Sequence, residues 1–319
     1  MAPKGTIAPV VIRPITDYDR EAIWAIFRAV IAARDSYTFA PDTPRGIGIG
    51  YWFAPDITTF VAERDDRVVG MYKLIANFTG LGAHVANASF MVDPAAAGHG
   101  IGRAMGLHAL REARAHGYEA MQFNFVVSTN RRAVSLWHSL GFRIIGTLPR
   151  AFRHGRLGLV DAYVMHRSLD DIVLTFGRAP ADEAAIVRPC AYAVLGRDAD
   201  GDSPARIALV HARQDVLLPG GGLDAGEGHT EALVREVAEE CALRVTIGHC
   251  LGDAIYMVGA RDGRPVTQKR SRFFSATFEG ALEQEPEHDV LWLSPERALG
   301  TTTNDSHRWA ITRWIRLNT

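Results

Sequence analysis

The stretch LPGGGLDAGEGHTEALVREVAEECAL, residues 218–243, places six carboxylates (Asp224, Glu227, Glu231, Glu236, Glu239 and Glu240) against the single Arg235. The whole chain of 319 residues has a formal net charge of only -1, so the concentration is local. On a helix, Glu236, Glu239 and Glu240 stand at i, i+3 and i+4 and share one face, a destabilising arrangement unless a positive group lies between them. Beside the glycines at 220–222, which offer bare backbone carbonyls, three such acids make an all-oxygen donor set suited to Mg2+ or Mn2+. The competing reading is a helix face exposed to solvent, the usual meaning of a run of charges.

Spacing separates the two readings. Gly221, five residues, Glu227, seven residues and then Arg235, Glu236, Val237, Ala238, Glu239 and Glu240 resemble the Nudix box, G-x5-E-x7-R-E-U-x-E-E-x-G-U with U aliphatic. One position departs: Ala242 stands where the box has glycine. That glycine takes a positive φ at the helix end, so alanine costs about 1 kcal/mol or alters the turn. The resemblance runs from about residue 174 onward and implies an α/β/α sandwich that hydrolyses a nucleoside diphosphate joined to another moiety. It implies Glu236, Glu239, Glu240 and the carbonyl of Gly220 as metal ligands, oriented by an ion pair between Arg235 and Glu227. It also implies a metal-bound water of lowered pKa as the attacking group. The general base is expected from the same helix or from a later loop. LEQEPEHDVLWL, residues 282–293, offers Glu283, Glu285, Glu287 and His288. Glu287 is preferred because similar proteins carry an acid there, although a solvated loop glutamate fits equally well. Lys269, Arg270 and Arg272 of QKRSRFF can supply phosphate contacts or decorate an exposed strand.

At this length two domains are the default expectation, and the pattern restarts near Asp170, giving 1–170 and 171–319. A composition 47% hydrophobic and 22% charged is that of an ordinary globular protein. A pI near 6.9 provides no basic field, which weighs against a nucleic-acid partner. The three cysteines, Cys190, Cys241 and Cys250, form no CxxC pair. The start MAPKGTIAPVV lacks a signal-peptide core and no run reaches bilayer length, so the chain reads as cytoplasmic with no membrane partner; a homo-oligomer stays open.

The first half alternates strand-like and helical segments. FVAERDDRVVGMYKLIA reads as a hairpin turning at Asp65 and Asp66, HVANASFMV and AMQFNFVV as strands, and GRAMGLHALREARAHG and NRRAVSLWHSLG as helices. The second half opens with strands AYAVLGR and RIALVHA around DADGDSP, whose Asp198, Asp200 and Asp202 read as a hairpin turn rather than a calcium loop. PAAAGHGIGRAMG sets Gly98, Gly100 and Gly102 between strand and helix, where consecutive amides and a helix N-terminus face an anion. The spacing differs from the dinucleotide fingerprint.

With NASFMVDPAAAGHGIGRAM and NFVVSTNRRAVSLWHSLGFRIIG around it, this turn resembles the GNAT family of acyl-CoA N-acyltransferases, mixed-sheet α/β proteins. The resemblance implies acetyl-CoA as co-substrate. Its diphosphate would lie on the amides of Gly98, His99, Gly100, Ile101, Gly102 and Arg103, with Asn130 beside the pantetheine and a strand amide near Phe90 to Val92, Met91 and Val92 being the cofactor-binding positions, polarising the thioester carbonyl. Ala97 replaces the family's basic or amide residue, and Trp137 stands where many members have a tyrosine acid. MQFNFVVSTN with LWHSLGFRIIGTLPRAFRH further resembles acetyltransferases of azetidine-2-carboxylate and related proline analogues. That likeness implies that asparagines, with Asn87, Asn124 and Asn130 in the corresponding places, bind the acceptor's carboxylate and help stabilise the site, and that a water removes the amine proton. Strand asparagines bonded to backbone are the alternative, and His99 and His138 read as exposed helix-end residues.

The expectation is therefore a bifunctional enzyme. One half is an acetyl-CoA-dependent N-acetyltransferase on a small amine or imino acid, the other a metal-dependent hydrolase of a nucleoside diphosphate derivative. The competing class is an acetyltransferase regulated by a nucleotide-sensing, non-catalytic second domain.

Overall fold

The computed structural model describes residues 9–178, 184–197, 205–260 and 265–318. The turn expected at Asp198, Asp200 and Asp202 lies outside them. Two compact units result, one spanning Met1–Arg114 and Tyr118–Leu169, the other Ala115–Gly117 and Asp170–Thr319.

The first unit contains β1 (Val11–Pro14), α1 (Arg20–Ala32), α2 (Arg45–Phe53), β2 (Thr58–Arg64), β3 (Arg67–Ala76), β4 (Val85–Val92), α3 (Ile101–Ala115), β5 (Ala120–Val127), α4 (Arg131–Ser139), β6 (Arg143–His154) and β7 (Gly158–Ser168). Its sheet runs β1-β2-β3-β4-β5-β7-β6. Asp65 and Asp66, with φ of 50° and 57°, make the two-residue hairpin between β2 and β3, a turn whose twist matches the strands. On α1, Ile23, Ile26, Phe27 and Ile31 recur at helical spacing and are buried against Trp52, Val61, Met71 and Met91. Each such side chain contributes about 1.5–3 kcal/mol on burial. All neighbouring strands are antiparallel except β4 and β5, which pair in parallel through only two residues each, Val85 with Ala120 and Ala86 with Met121. Beyond that point they part. This divergence leaves backbone groups of the facing edges without a ladder partner and opens the first site.

The second unit contains β8 (Leu174–Gly177), β9 (Ile186–Arg197), β10 (Arg206–Ala212), β11 (Asp215–Leu217), β12 (Gly220–Gly222), α5 (His229–Cys241), β13 (Leu243–Val258), β14 (Thr267–Ala281), β15 (Asp289–Leu293), α6 (Pro295–Thr301) and α7 (Asp305–Asn318). The strand expected at AYAVLGR starts earlier, at Ile186, because β9 pairs along its length with β14. Strand alternation builds the layers: Cys190, Tyr192 and Val194 face the α7 side with Trp309 and Ile311. Ala191, Ala193 and Leu195 face Leu233, Val237 and Cys241 of α5. The result is a sheet with a helix on each face.

Ala242 ends α5 at φ 53° and ψ 39°, and its N–H donates to Ala238 O at 3.0 Å. The left-handed turn is thus kept by an alanine, at about 1 kcal/mol of strain. Ala242→Gly is expected to raise stability by about 0.5–1 kcal/mol, the relieved strain less the lost methyl burial and added chain entropy. A shift of the denaturant midpoint to higher concentration at unchanged slope checks it.

His307 is fully enclosed between Tyr192 and Phe273, with ring centroids 4.3 and 5.5 Å away. Leu218 N–H donates to its Nδ1 at 3.0 Å, so the ring is neutral with its proton on Nε2. Burial, aided by the charge of Lys269, pulls its pKa down to about 3. Since the folded value lies below the unfolded one, the stabilisation is complete above pH 6.5. It is lost as pH falls toward the folded value, at up to about 1.4 kcal/mol per pH unit. Denaturant unfolding at pH 7 and pH 5 should show this decline, and His307→Gln should flatten it.

Candidate active sites

The divergence of β4 and β5 forms a cleft of about 590 Å³, lined along β4 by Asn87 to Val92 and along β5 by Phe123 to Val127, with Asn130 and Trp137 from α4. Gly98 and Gly100 adopt φ of 87° and 79° in the turn that leads into α3. Gly102 does not belong to that turn: α3 begins at Ile101, so Gly102 lies in its first helical turn. The N–H groups of residues 98–103 have no backbone acceptor among the described residues, as the start of a helix requires. They form a row of donors followed by the positive end of α3.

Within the cleft, Asn87 Nδ2 and Asn124 Nδ2 both donate to Asn77 Oδ1, at 3.0 and 2.7 Å. These asparagines bond to another side chain, not to the backbone as the alternative reading held. Asn130 Oδ1 accepts from Ala133 N–H at 3.2 Å and caps α4. Trp137 packs its ring against Phe90 and Phe123, with centroids 4.8 and 4.7 Å away. It completes an aromatic wall and offers no phenol. Tyr37 Oη donates to Phe90 O at 2.8 Å, Tyr51 Oη meets Ser89 Oγ at 2.7 Å, and burial raises both phenols above their usual range. Behind Tyr51, Lys73 Nζ lies 3.2 Å from the ring centroid, and burial lowers its pKa to about 8.

In the second unit the glycines at 220–222 pair with β9 and sit beside α5. Gly220 has φ 128°, and a side chain there would meet Ala191 O at 2.2 Å; at Gly221 a Cβ would lie 2.5 Å from the Glu236 carboxylate. The glycines therefore let α5 approach. Arg235 holds Glu227 through Nε and Nη2 at 3.0 and 2.9 Å, and its Nη1 reaches Glu236 and Glu239 at 3.1 and 3.0 Å. Hydrogen bonding to this guanidinium keeps Glu227 below its ordinary pKa. Glu240 Oε2 accepts from Gly220 N–H at 2.9 Å. Burial, reinforced by the charges of Glu236, Glu287 and Glu239, raises its pKa to about 7 against that hydrogen bond. Burial also raises Glu236. A cleft of about 240 Å³ joins Glu236 and Glu240 to Arg188, Lys269, Cys190 and Tyr192.

Glu236 and Glu240 line this cleft together, while Glu239 is paired with Arg235 Nη1. Among the described residues no three histidine, cysteine, aspartate or glutamate side chains are grouped to hold a metal ion. The guanidinium of Arg235 lies between Glu236 and Glu239 and offsets the repulsion of their like charges. The 282–288 loop docks on the end of α5, with Glu287 N–H on Glu239 O at 3.2 Å and His288 N–H on Glu240 O at 3.1 Å. His288 Nε2 lies 3.8 Å from Glu240 Oε1.

Comparison with known proteins decides what these two clefts belong to. The model of the acetyltransferase (GNAT) family matches residues 23–142, and that of the NUDIX domain matches residues 188–315. This chain joins a GNAT domain to a NUDIX domain. N-acetyltransferase aca1 of Schizosaccharomyces pombe is 33% identical over 112 residues, 35% of this chain and 54% of that protein. Mycothiol acetyltransferase of Thermomonospora curvata is 37% identical over 92 residues, 28% of this chain and 29% of that protein. The chain thus spans about half or less of the curated relatives it matches. The structure of a GCN5-related N-acetyltransferase from Kribbella flavida is 42% identical and covers 50% of this chain and 97% of its own, with a TM-score of 0.48. No helix among the described residues is long and apolar enough to cross a membrane.

In the GNAT domain, Asn87, Asn124, Asn130, Met91 and Val92 meet at one cleft. The side chains of Met91 and Ile101 are 2% and 1% exposed and belong to the core, which leaves only their backbone for a ligand. His99 and His138 are exposed and bond to nearby carbonyls, Ala96 O at 3.2 Å and Phe142 O at 3.1 Å. Arg103 ties α3 to Ser139 of α4 at 2.9 Å. In the NUDIX domain, Lys269 lines the cleft, whereas Arg272 is spent on Asp253 at 2.8 Å and Arg270, on the opposite strand parity to Lys269, is exposed. Sequence reading missed Asn77 and Arg188. No local pattern marks Asn77, which follows a strand. Arg188 had one available signal, a strand cation two residues before the buried run that begins at Cys190.

Proposed function

We propose that the GNAT domain transfers the acetyl group of acetyl-CoA to the nitrogen of a small amine bearing a carboxylate, with azetidine-2-carboxylate and related imino acids as the substrate class. The NUDIX domain, on this reading, hydrolyses a nucleoside diphosphate derivative with Mg2+ or Mn2+. The observation that carries the first half is the parting of β4 and β5 into a cleft that holds Asn87 and Asn124 and adjoins the free amides of residues 98–103. Those amides take the coenzyme A diphosphate. A backbone N–H at Met91 or Val92 polarises the thioester carbonyl, and the neutral amine attacks it. The C–N bond forms, the C–S bond breaks, a water takes the amine proton, and the thiolate is protonated from solvent. Trp137 leaves no phenol at the family's usual position, so the leaving thiolate depends on water.

In the NUDIX cleft the carboxylates offer an all-oxygen donor set, and one of them, Glu240, is held toward its protonated form by burial, reinforced by three neighbouring acids. A hard divalent cation relieves such a cluster, so the residues fit the group. Glu236, Glu239, Glu240 and the Gly220 carbonyl would hold it, and it would supply neutralisation of diphosphate oxygens and a more acidic water. Arg235 and Glu227 brace α5, Glu287 at its end serves as the base, and Arg188 and Lys269 meet the substrate's phosphates.

The test is product analysis by mass spectrometry. With Mg2+ and a panel of nucleoside diphosphate derivatives in 18O-labelled water, one phosphate product should carry a single heavy oxygen. With acetyl-CoA and a panel of imino acids, N-acetylated product and free coenzyme A should appear together. Every diphosphate left intact, or no imino acid acetylated, contradicts the corresponding half.

A further inference from the structure

Asn77 directly follows β3, and its N–H donates to Val85 O at 2.7 Å, which fixes its backbone where the chain turns toward β4. Its side-chain oxygen accepts from Asn87 Nδ2 and Asn124 Nδ2, one residue from each of the diverging strands. Both lone pairs of that oxygen are therefore used. Its own Nδ2 is buried and has no partner among the described residues. An amide kept in this orientation despite a buried, unpaired N–H2 is held there by what its oxygen does.

The network continues at its other end, where Gln122 Nε2 donates to Asn124 Oδ1 at 2.9 Å. In this arrangement the Asn124 nitrogen faces Asn77, and Asn77 answers with oxygen. A primary amide has two N–H groups. Asn87 and Asn124 each place one on Asn77 and keep one, and both residues line the cleft. Two donors anchored on one oxygen are suited to a single anion, and Arg132 stands on the wall of the same cleft.

We propose that Asn77 is the positioning residue of the acceptor site: it orients Asn87 and Asn124 with an N–H toward the acceptor's carboxylate, and its neutrality admits an anionic acceptor. This rests on the reading above that the acceptor carries a carboxylate.

The test compares an imino acid with its neutral carboxamide in the full-length protein at pH 8. Asn77→Asp keeps an oxygen for both asparagines but adds a negative charge behind them. It should raise KM for the acid about tenfold or more, leave the carboxamide near its original KM, and leave KM for acetyl-CoA unchanged. Asn77→Leu removes the shared oxygen, so the preference for acid over carboxamide should collapse. Because each variant is read as a ratio within one preparation, partial loss of folded protein cancels. An unchanged acid-to-carboxamide ratio in Asn77→Asp, or equal losses on both substrates in both variants, overturns the assignment. If the unaltered protein shows no preference for the acid, the carboxylate reading itself falls, before any variant is made.

Discussion

Glu240→Gln is expected to lower diphosphate hydrolysis by about a thousandfold while acetyl transfer continues unchanged, since it removes a carboxylate from the charge-stabilising set and touches nothing in the GNAT cleft. The variant should not be a damaged protein. Glutamine keeps an oxygen for Gly220 N–H, which now reaches the carboxylate at 2.9 Å. The folded pKa of Glu240, about 7, lies above the ordinary 4.5, so folding favours the protonated form. That contribution is complete below pH 4.5 and lost as pH rises through 7. In a chelator, Glu240→Gln should therefore be more stable than the parent at pH 8, by at most about 3 kcal/mol, and the difference should vanish near pH 4.5. Kinetics with a dinucleotide substrate and thermal unfolding at the two pH values read both effects. A variant that is more stable and inactive separates chemistry from structure, because lost packing would lower both.

Asn124→Leu carries the second large effect. Asn124 links Gln122, Asn77 and the cleft, and leucine leaves the Gln122 amide and one lone pair of Asn77 without partners. We expect kcat/KM for an imino acid to fall about a hundredfold, one charge-assisted donor to an anion being lost, with KM for acetyl-CoA unchanged. Initial-rate kinetics varying each substrate in turn distinguish this from a general loss of activity. Equal changes in both KM values would remove Asn124 from the acceptor site.

Legibility divides along the range of the interactions. The acidic helix, its pairing of Arg235 with Glu227, and the strained turn at Ala242 all depend on residues close in sequence; spacing put the acids on one helix face, and the resemblance to the Nudix box implied the ion pair and the turn. The same holds for the Asp65 and Asp66 turn and for strands β5 and β10, whose alternation is local. What escaped reading depends on partners from distant strands. Asn77 and Asn124 are 47 positions apart and meet only because β4 stands between β3 and β5. Arg188 reaches the NUDIX cleft because β9 lies next to both β12 and β14. The placement of Arg235 between Glu236 and Glu239 was hidden for another reason: a side chain with several acids in reach chooses by geometry. Trp137 was noted as a lost phenol, but its ring contacts with Phe90 and Phe123 depend on how α4 packs on the sheet.

On the function proposed above, one chain carries two working active sites. The most direct test is a single reaction of the purified full-length protein with Mg2+, acetyl-CoA, an imino acid panel and a nucleoside diphosphate panel, followed by mass spectrometry. An N-acetylated imino acid and a cleaved diphosphate are expected from the same sample, with only the second lost in Glu240→Gln. Acetylation alone, with every diphosphate intact and Glu240→Gln indistinguishable from the parent, would contradict that function.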